Sequence, residues 1–526
     1  MTAVDRIALV GLPGSGKSTI APLLAERLGW SCVDLDAEIA VSTGRGPAEI
    51  LAGDGEEAFR ELEFATLDAV TQRPGSMVIA CGGGLIGVAA ARTLLIDRCV
   101  VVWLDAPDVV LINRLGDASD RPLLGGSATT GIPLLRGRRE RAHQTAHLRV
   151  DTDDVPETVA SKIAAALESA VAVAIPDGRY HVGVRPGGLD DVALHVPSAA
   201  KRVAVIADRA VPQAADRLVA SLRSSGMSTT VLRIAGGESA KTWGAAGRLL
   251  DRLGRARLER NDCVIALGGG TVGDLAGFAA ATYLRGVAWV NVPTTLLAMV
   301  DSAVGGKTGV NLSRGKNLAG AFWQPRAVIC DPEVLVSQPH RSYRSALAEI
   351  VKYAMIAETP LVETLDAHLD ALVARDLEVL TATVRECCAI KSRVVSSDDR
   401  DAGPRAVLNY GHTVGHALEA AAGMGETLLH GEALAVGLRA AGMLSIRELG
   451  CPARDIDWQD AMISRCGLAT SLVFDPERVL EHMRADKKHV AGTLGWVLLA
   501  GRGIPRSGQH VPERLVREAL DAVLAP

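Results

Sequence analysis

The chain has 526 residues, which is too many for one ordinary core, so two or three domains are expected. Hydrophobic residues make up 48% and charged residues 22%, a soluble globular balance, and no run approaches the roughly 18 apolar residues of a membrane span. A formal charge of −5 argues against general nucleic-acid binding. Nine cysteines without motif spacing, and no signal-peptide pattern, predict reduced thiols and a cytoplasmic location.

Short apolar runs alternate with helical patterns up to about residue 170, which predicts a parallel sheet covered by helices on both faces. The predicted strands are Ile7–Val10, Cys32–Leu35, Met77–Ala80, Cys99–Leu104 and Leu148–Val150. The clearest predicted helices are Lys17–Leu28 and Glu56–Thr71. The glycine-containing stretch Arg121–Arg139 breaks the pattern and is predicted to be a mobile loop. The turn signal Ile175–Gly178 places a linker at 171–179, after a first domain at 1–170.

A second alternating region begins near Tyr180 and predicts an α/β nucleotide-binding subdomain at 180–340. Its predicted strands are Arg202–Ala207, Thr229–Ile234, Cys263–Leu267 and Ala288–Val292. After about His340 the pattern is mostly helical apart from Trp496–Leu499, which predicts a helical subdomain at 341–526. The cleft between these two parts is the expected ligand site.

The segment Gly11–Thr19 fits the P-loop pattern G-x-x-x-x-G-K-[ST] and lies between a strand and a helix, the context that the motif needs. Its backbone N–H groups and the helix N-terminus favour phosphate. Lys17 would neutralise the transferring phosphoryl group and Ser18 would hold Mg²⁺. The predicted ATP contacts of the loop are Gly14, Ser15, Gly16, Lys17, Ser18 and Thr19.

Further polar residues could bind the acceptor of the phosphoryl group. They are Asp34 and Asp36 at the end of the second strand, Arg60 on the next long helix, Gly82–Gly84 after the third strand, and Arg121 and Arg138 in the predicted loop. Singly, such residues are often helix caps or solvated side chains. Together they offer one candidate base and three guanidinium groups for a carboxylate.

This set resembles shikimate kinase over nearly all of 1–170. The resemblance implies that Asp34 joins Ser18 on the Mg²⁺ side and that Asp36 acts on the shikimate hydroxyls as the catalytic carboxylate beside Lys17. It also implies shikimate contacts at Arg60, Gly83 and Arg138, and ATP contacts at Arg114 and Arg121. The segment after Arg138 lacks the family's Pro-Leu-Tyr-like sequence, so Arg136 and Arg139 stay open as alternatives. A nucleotide-binding module without catalysis and a gluconate-type kinase are the rival interpretations.

The second region carries its own motifs. Gly268–Asp274 follows a buried strand and would let a pyrophosphate approach the backbone, although a glycine-rich turn alone is weak evidence. Pro293–Lys307 adds polar and basic groups to an apolar stretch. In the helical part, Glu349 and Lys352 share one helix face, and His412 and His416 are four residues apart. A glutamate with two histidines suits Zn²⁺ with an open position, but no glutamate follows His412 as the H-E-x-x-H motif requires.

Residues from about 180 to 510 resemble 3-dehydroquinate synthase, which implies NAD and Zn²⁺ or Co²⁺ as cofactors. The implied metal ligands are Glu349, His412 and His430. The implied NAD contacts are Asp208, Glu238, Lys241, Gly270, Thr271, Val272, Gly273, Asp274, Thr294, Thr295, Lys316, Val334 and Ser337. The implied substrate contacts are Arg285, Asp301, Lys307, Asn317, Lys352, Lys391, Arg405, Asn409, His416 and Lys487, of which Lys307, Lys352 and His416 are the catalytic set. Arg285 would reach a neighbouring subunit, which implies a homodimer.

The two resemblances together predict a bifunctional enzyme of the shikimate pathway. One half would phosphorylate shikimate with ATP and Mg²⁺. The other would convert 3-deoxy-D-arabino-heptulosonate 7-phosphate to 3-dehydroquinate and phosphate. Another sugar-phosphate cyclase and a metal-dependent alcohol dehydrogenase are the rivals for the second half, and the basic set favours a doubly anionic substrate. Small molecules are the only predicted partners besides a second subunit, without nucleic acid or membrane.

Overall fold

The computed structural model describes residues 5–116, 127–143, 146–168, 170–175, 178–197, 199–313, 315–398, 400, 403–423, 427–487 and 495–525. Arg121 therefore lies outside the described residues, and so does the side chain of Lys487. Among the helices described, none combines the length and the apolar character needed to cross a bilayer.

The N-terminal part is a five-stranded parallel sheet with helices around it, as the alternating pattern predicts. Its elements are β1 (Arg6–Val10), α1 (Lys17–Leu28), β2 (Ser31–Asp34), α2 (Leu35–Thr43), α3 (Pro47–Gly53), α4 (Gly55–Thr71), β3 (Met77–Ala80), α5 (Ala89–Arg98), β4 (Val100–Asp105), α6 (Asp108–Leu115), α7 (Ala128–His143), β5 (Leu148–Asp151) and α8 (Pro156–Glu168). The strand order is β2-β3-β1-β4-β5, with β1 central. The segments after β1, β2 and β3 therefore meet at one edge of the sheet, where α/β proteins bind ligands.

The predicted mobile loop at Arg121–Arg139 is wrong over its second half, because residues from Ala128 onward form α7. The glycines that suggested a loop do not prevent this helix, because its apolar residues Ile132 and Leu135 are buried against Leu111 of α6 and Leu12. Tertiary packing supplies the stability that helix propensity lacks here.

The middle part contains a seven-stranded sheet and a separate two-stranded hairpin. Its elements are β6 (Ala170–Ile175), β7 (Gly178–Val184), β8 (Arg202–Asp208), α9 (Pro212–Ser224), β9 (Ser228–Ile234), α10 (Trp243–Arg255), β10 (Cys263–Gly268), α11 (Gly270–Thr282), β11 (Ala288–Pro293), β12 (Lys307–Leu312), β13 (Gly315–Phe322) and β14 (Ala327–Cys330). The order is β6-β7-β14-β11-β10-β8-β9, with β12 and β13 forming the hairpin. Only β6 in this sheet runs antiparallel to its neighbour.

The predicted linker at 171–179 is largely part of this sheet. All six residues of β6 pair with β7, from Ala170 opposite Gly183 to Ile175 opposite Gly178. The turn signal at Ile175–Gly178 therefore marks a hairpin within one domain. The physical reason is that Val171 and Val173 are buried in the core that joins the sheet to the helical part.

The C-terminal part is mainly helical. Its elements are α12 (His340–Ile356), α13 (Leu361–Val373), α14 (Leu377–Ser397), α15 (His412–Ala421), α16 (His430–Leu449), α17 (Ala453–Arg465), β15 (Leu472–Val473), α18 (Pro476–Lys487), β16 (Trp496–Leu499), β17 (Pro505–Gln509), α19 (Glu513–Val523) and β18 (Leu524–Ala525). Helices α15 and α16 approach closely because residue 437 is a glycine. A β-carbon there would lie 2.1 Å from the carbonyl oxygen of Gly411.

The kinase-like and synthase-like parts contact each other directly. The Nη2 atom of Arg326 donates a hydrogen bond of 2.8 Å to the carbonyl oxygen of Ala146, just after α7. The rings of His147 and His181 meet edge to face, with centroids 5.0 Å apart. Leu194 packs against the core of the N-terminal sheet. Ala146 and His147, which come shortly after α7, are therefore held by the second half of the chain.

Candidate active sites

The P-loop lines a cavity of about 590 Å³ at the edge of the five-stranded sheet. The Nζ atom of Lys17 donates to the carbonyl oxygens of Gly11 and Leu12, at 2.8 and 3.2 Å, and so lies over the loop. Arg114 also lines the cavity and donates to the carbonyl oxygen of Thr152 at 2.6 Å. A lysine and the amides of a helix N-terminus can bind a polyphosphate at this position.

Two oxygen ligands lie together beside the P-loop. The Oγ atom of Ser18 donates to Oδ2 of Asp34 at 2.8 Å. The other oxygen of Asp34 accepts from the amides of Asp36 and Ala37, at 3.0 and 3.4 Å, which caps α2 and fixes the carboxylate. A hydroxyl and a carboxylate oxygen are ligands that Mg²⁺ prefers, so these two residues fit the ion.

The arginine beside the acceptor pocket is Arg139. Its side chain is buried, and Nη1 donates to the carbonyl oxygen of Gly83 at 3.0 Å. Arg138, predicted to bind the shikimate carboxylate, is exposed on α7. Arg136 is tied to the scaffold, because it forms ion pairs with Asp105 at 2.9 Å and Asp108 at 2.5 Å. The three alternatives thus differ in position, and Arg139 is the one near Gly83.

Arg60 is the second cation of this pocket. It forms ion pairs with Glu63, which is fully buried, and with Glu56 at 3.0 Å. Burial, and then the nearby charge of Arg60, lower the pKa of Arg139. Arg60 and Arg139 are thus two neighbouring guanidinium groups that together can bind a carboxylate. Asp36 lines the same cavity as the P-loop, close to where a phosphoryl group would be transferred.

In the helical part, Glu349 lies between two imidazoles. Its Oε1 atom is 3.2 Å from Nε2 of His412 and 3.2 Å from Nε2 of His430. The three residues come from α12, α15 and α16 and can direct one ligand atom each at a common point. A carboxylate with two histidines is a common zinc ligand set that leaves a position for substrate. The residues therefore fit a divalent cation of this kind.

The electrostatics of these ligands also favour a cation. Burial opposes ionisation of Glu349, but Lys352 and then the two imidazoles outweigh it and hold the pKa of Glu349 well below its usual range. Burial likewise opposes charge on His430, but Glu349 and Glu419 outweigh it and raise the pKa of His430 to about 10. The carboxylates thus stabilise positive charge at this point of the fold.

A cavity of about 280 Å³ opens above these ligands. Its lining brings together most of the predicted substrate contacts, namely Asp301, Lys307, Asn317, Lys352, Lys391, Arg405, Asn409 and His416, with His412, His430 and Asp274. Lys391 forms an ion pair with Asp301 at 2.5 Å. Four cationic side chains in so small a cavity suit a substrate that carries both a phosphate and a carboxylate.

Among the predicted substrate contacts whose side chains are described, Arg285 lies apart from this cavity. It is exposed, and both it and Leu284 have positive φ angles, of 66° and 51°. Positive φ in non-glycine residues costs energy and indicates a constrained local structure. The predicted reach of Arg285 into another subunit stays a prediction.

The predicted NAD residues lie at the carboxyl edge of the seven-stranded sheet. Gly269 precedes α11 and has no side chain, so the first amides of the helix can face a pyrophosphate. Gly270, Thr271, Val272, Gly273 and Asp274 form the first turns of this helix, and Thr294 donates its amide to Gly268 at 2.9 Å. This arrangement fits a dinucleotide. Thr295, Val334 and Ser337 follow β11 and β14, which end at the same edge.

Other predicted NAD residues already have protein partners. Lys241 forms ion-pair and hydrogen-bond contacts with Asp274 and Asn317, and Glu238 accepts from Asn311 at 2.7 Å. The glycine at residue 236 leaves space for a neighbouring side chain. A β-carbon there would lie 2.2 Å from Oδ2 of Asp208, so glycine makes room for this carboxylate.

Sequence reasoning missed Glu419. Its Oε2 atom is 3.1 Å from Nδ1 of His430, and its Oε1 atom is 3.3 Å from Nζ of Lys316. The spacing in the sequence could have revealed it. Glu419 lies three residues after His416 and seven after His412, so it shares their face of α15.

These two sites and folds define the class of the protein: a P-loop phosphotransferase joined to an α/β-plus-helical enzyme with a divalent-cation site. Family models match over most of the chain. They are shikimate kinase at residues 13–168, 3-dehydroquinate synthase N-terminal at 231–345 and 3-dehydroquinate synthase C-terminal at 346–489.

Curated relatives give the same assignment for the second half. The 3-dehydroquinate synthase of Caulobacter vibrioides is 43% identical over 364 residues, which are 67% of this chain and 97% of the relative. That of Synechococcus sp. is 40% identical over 366 residues, which are 68% of this chain and 99% of the relative. The chain belongs to the 3-dehydroquinate synthase family and carries a shikimate kinase domain before it. It thus combines two activities of the shikimate pathway.

Solved structures of other cyclases share the fold of the second half. A 2-deoxy-scyllo-inosose synthase in complex with carbaglucose-6-phosphate, NAD⁺ and Co²⁺ has a TM-score of 0.61 at 28% identity, covering 68% of this chain and 100% of its own. ValA, a 2-epi-5-epi-valiolone synthase from Streptomyces hygroscopicus subsp. jinggangensis 5008 with NAD⁺ and Zn²⁺, has a TM-score of 0.61 at 26% identity, covering 66% and 98%. The higher identity to dehydroquinate synthases favours that activity over the rival cyclases.

Proposed function

We propose that the N-terminal half binds ATP with Mg²⁺ in the P-loop cavity and phosphorylates shikimate. Lys17 is placed to neutralise the transferring phosphoryl group, and Ser18 with Asp34 would hold the ion, which supplies charge neutralisation when bound. Asp36 accepts the proton of the attacking hydroxyl. The 2.8 Å contact between Ser18 and Asp34 is the observation that supports the magnesium assignment.

For the acceptor, we assign the shikimate carboxylate to Arg60 and Arg139 rather than to Arg138. Arg139 is buried beside Gly83, whereas Arg138 faces solvent. A carboxylate between two guanidinium groups would be oriented as well as bound, which places the hydroxyl near Asp36.

In the second half, we propose that Glu349, His412 and His430 hold Zn²⁺ or Co²⁺ and that the edge around α11 holds NAD. The ion supplies polarisation of the substrate oxygens, and NAD supplies reversible acceptance of a hydride. Lys307, Lys352 and Arg405 bind the phosphate and carboxylate of the heptulosonate phosphate, and His416 holds a polar group at the mouth of the cavity. Their positive charge orients the substrate and stabilises phosphate as it leaves.

The ligand triad at the base of a cationic cavity is the observation that carries this proposal. The test is phosphate release from 3-deoxy-D-arabino-heptulosonate 7-phosphate with NAD and Zn²⁺, by wild type and by His412→Ala. His368→Ala, an exposed histidine on α13, is the matched control. We expect EDTA and the His412→Ala substitution to abolish phosphate release. The His368→Ala variant should release phosphate as wild type does. Release that survives both EDTA and His412→Ala would contradict the metal assignment.

We further propose a homodimer that forms through the outer face of the α/β subdomain. Large apolar side chains are exposed on neighbouring elements there, namely Trp243, Leu284, Leu318 and Phe322. Hairpin β12–β13 packs on α11, and Arg285 lies next to Leu284. An exposed apolar patch of this kind is typical of an interface. All nine cysteines are free, which suits a reducing compartment, so we also propose a cytoplasmic location.

A further inference from the structure

We propose that Glu419 is a positioning residue that fixes the ring of His430 and joins the metal site to the lysine expected to bind the dinucleotide. The inference rests on the proposed metal ligands Glu349, His412 and His430. It concerns a carboxylate outside that triad, in contact with one of its members.

The two ring nitrogens of His430 face opposite carboxylates. Nε2 is 3.2 Å from Glu349, on the side of the triad, and Nδ1 is 3.1 Å from Glu419. A histidine that gives one nitrogen to a metal donates the proton on the other, and a carboxylate is the strongest acceptor for it. Glu419 therefore selects the tautomer whose Nε2 lone pair points at the ion.

Glu419 is itself held in place. Its second oxygen forms an ion pair with Lys316 at 3.3 Å, and its side chain is 17% exposed. Lys316 lies on β13, whereas Glu419 lies on α15, so the pair connects the hairpin of the α/β subdomain to the helical part. Since Lys316 is one of the residues expected to bind NAD, one carboxylate touches binding residues of both cofactors.

A direct ligand role for Glu419 is the competing explanation, because His416, Glu419 and His430 could also converge on one ion. Three observations favour the positioning role. His416 is exposed, Glu419 is already paired with a lysine, and the triad with Glu349 is more buried. A cation at Glu419 would also have to displace the ammonium of Lys316.

The test measures zinc alone, by competition between the metal-free full chain and a chromophoric chelator. The variants are Glu419→Gln, Glu419→Ala, His412→Ala and Glu349→Gln, with Glu363→Gln on the exposed face of α13 as the matched control. We expect Glu419→Ala to weaken zinc binding about 10- to 100-fold, as loss of such outer carboxylates does, with Glu419→Gln intermediate. The control should bind as wild type does. Unchanged melting of the metal-free variants would exclude misfolding.

Two further readouts separate positioning from a merely structural role. The cobalt-loaded Glu419 variants should show a shifted visible d–d spectrum. The affinity of these variants for NAD should also change, as should the affinity of the Lys316→Ala variant. Zinc affinity within about threefold of wild type, or an unaltered cobalt spectrum, would overturn the proposal. Loss of zinc binding in Glu419→Ala with normal binding in Glu349→Gln would make Glu419 a ligand instead. Normal binding in His412→Ala would refute the metal site itself.

Discussion

Lys352 and Glu349 form an ion pair one helical turn apart inside the synthase half, with Nζ 2.5 Å from Oε2 and both side chains at most 1% exposed. The pair connects the metal site with the part of the cavity that would bind the substrate. Its carboxylate faces the histidines of the metal site, and its ammonium lines the space for the anionic substrate. The two charges therefore stabilise each other in a part of the protein where both side chains are almost fully buried.

Replacing Lys352 with methionine should destabilise the metal-free protein by about 1.5–3 kcal/mol, because Glu349 loses its ammonium partner and keeps only the histidines beside it. Zinc should restore part of the loss, since a bound cation again compensates the carboxylate. Urea unfolding with and without zinc measures both effects. Lys201→Met, at an exposed position, is the control. Equal stability of Lys352→Met and wild type without metal would show that the pair contributes little.

Replacing Arg139 with alanine should raise the KM for shikimate at least about tenfold, because a buried charged hydrogen-bond donor is worth about 1.5–3 kcal/mol. Arg138→Ala should change the KM for shikimate less than about twofold, since exposed cations contribute little to binding. Steady-state kinase assays with fixed ATP measure this difference. If Arg138→Ala raised the KM for shikimate more than Arg139→Ala did, the shikimate carboxylate would be assigned to Arg138 instead.

The free energy of unfolding of the kinase half should fall as the pH drops from about 6.5 to 4. His143 is buried and stacks on Trp103, and burial, then the charges of Lys17 and Arg139, lower its pKa to about 4. The unfolded chain, with an ordinary histidine pKa, takes up the proton first, so protonation favours unfolding by up to about 3 kcal/mol. His143→Phe keeps the stacking and cannot titrate. The unfolding free energy of wild type should fall relative to that of His143→Phe as the pH drops across this range, and parallel curves would contradict the assignment.

Arg326→Met should impair the kinase while sparing the synthase. It removes the hydrogen bond to Ala146 that holds the segment after α7, the helix that carries Arg139. We expect a rise of about two- to tenfold in the KM for shikimate, which corresponds to the 0.5–1.5 kcal/mol of a typical hydrogen bond. The synthase kcat should stay within twofold, in parallel phosphate-release assays on the same preparation. An unchanged kinase KM would show that the two halves are mechanically independent.

The sequence predicted the parallel strands well because they are buried on both faces and read as continuous apolar runs. Met77–Ala80 matches β3, and Cys263–Leu267 matches β10 to within one residue. It failed where tertiary contacts decide the structure. Helix α7 contains glycines and a proline yet packs on α6, and the hairpin of β12 and β13 was not predicted at all.

The candidate sites likewise contain residues that were predicted from the sequence and one residue that was missed. The P-loop was found from residue type and spacing together, whereas the choice of Glu349, His412 and His430 came from the resemblance to 3-dehydroquinate synthase. The structure brings each set to one point. Glu419 was missed because a lone glutamate on a helix is usually solvated. Its role depends on α16, which starts eleven residues later and places His430 beside it.

The last helix of the kinase half and the first strand of the synthase sheet are close neighbours in the chain. Helix α8 ends at Glu168 and β6 begins at Ala170, so the kinase passes into the edge of the synthase sheet after one residue. Separating the halves by a cut between β6 and β7 would remove that edge strand and expose the backbone of β7 to aggregation.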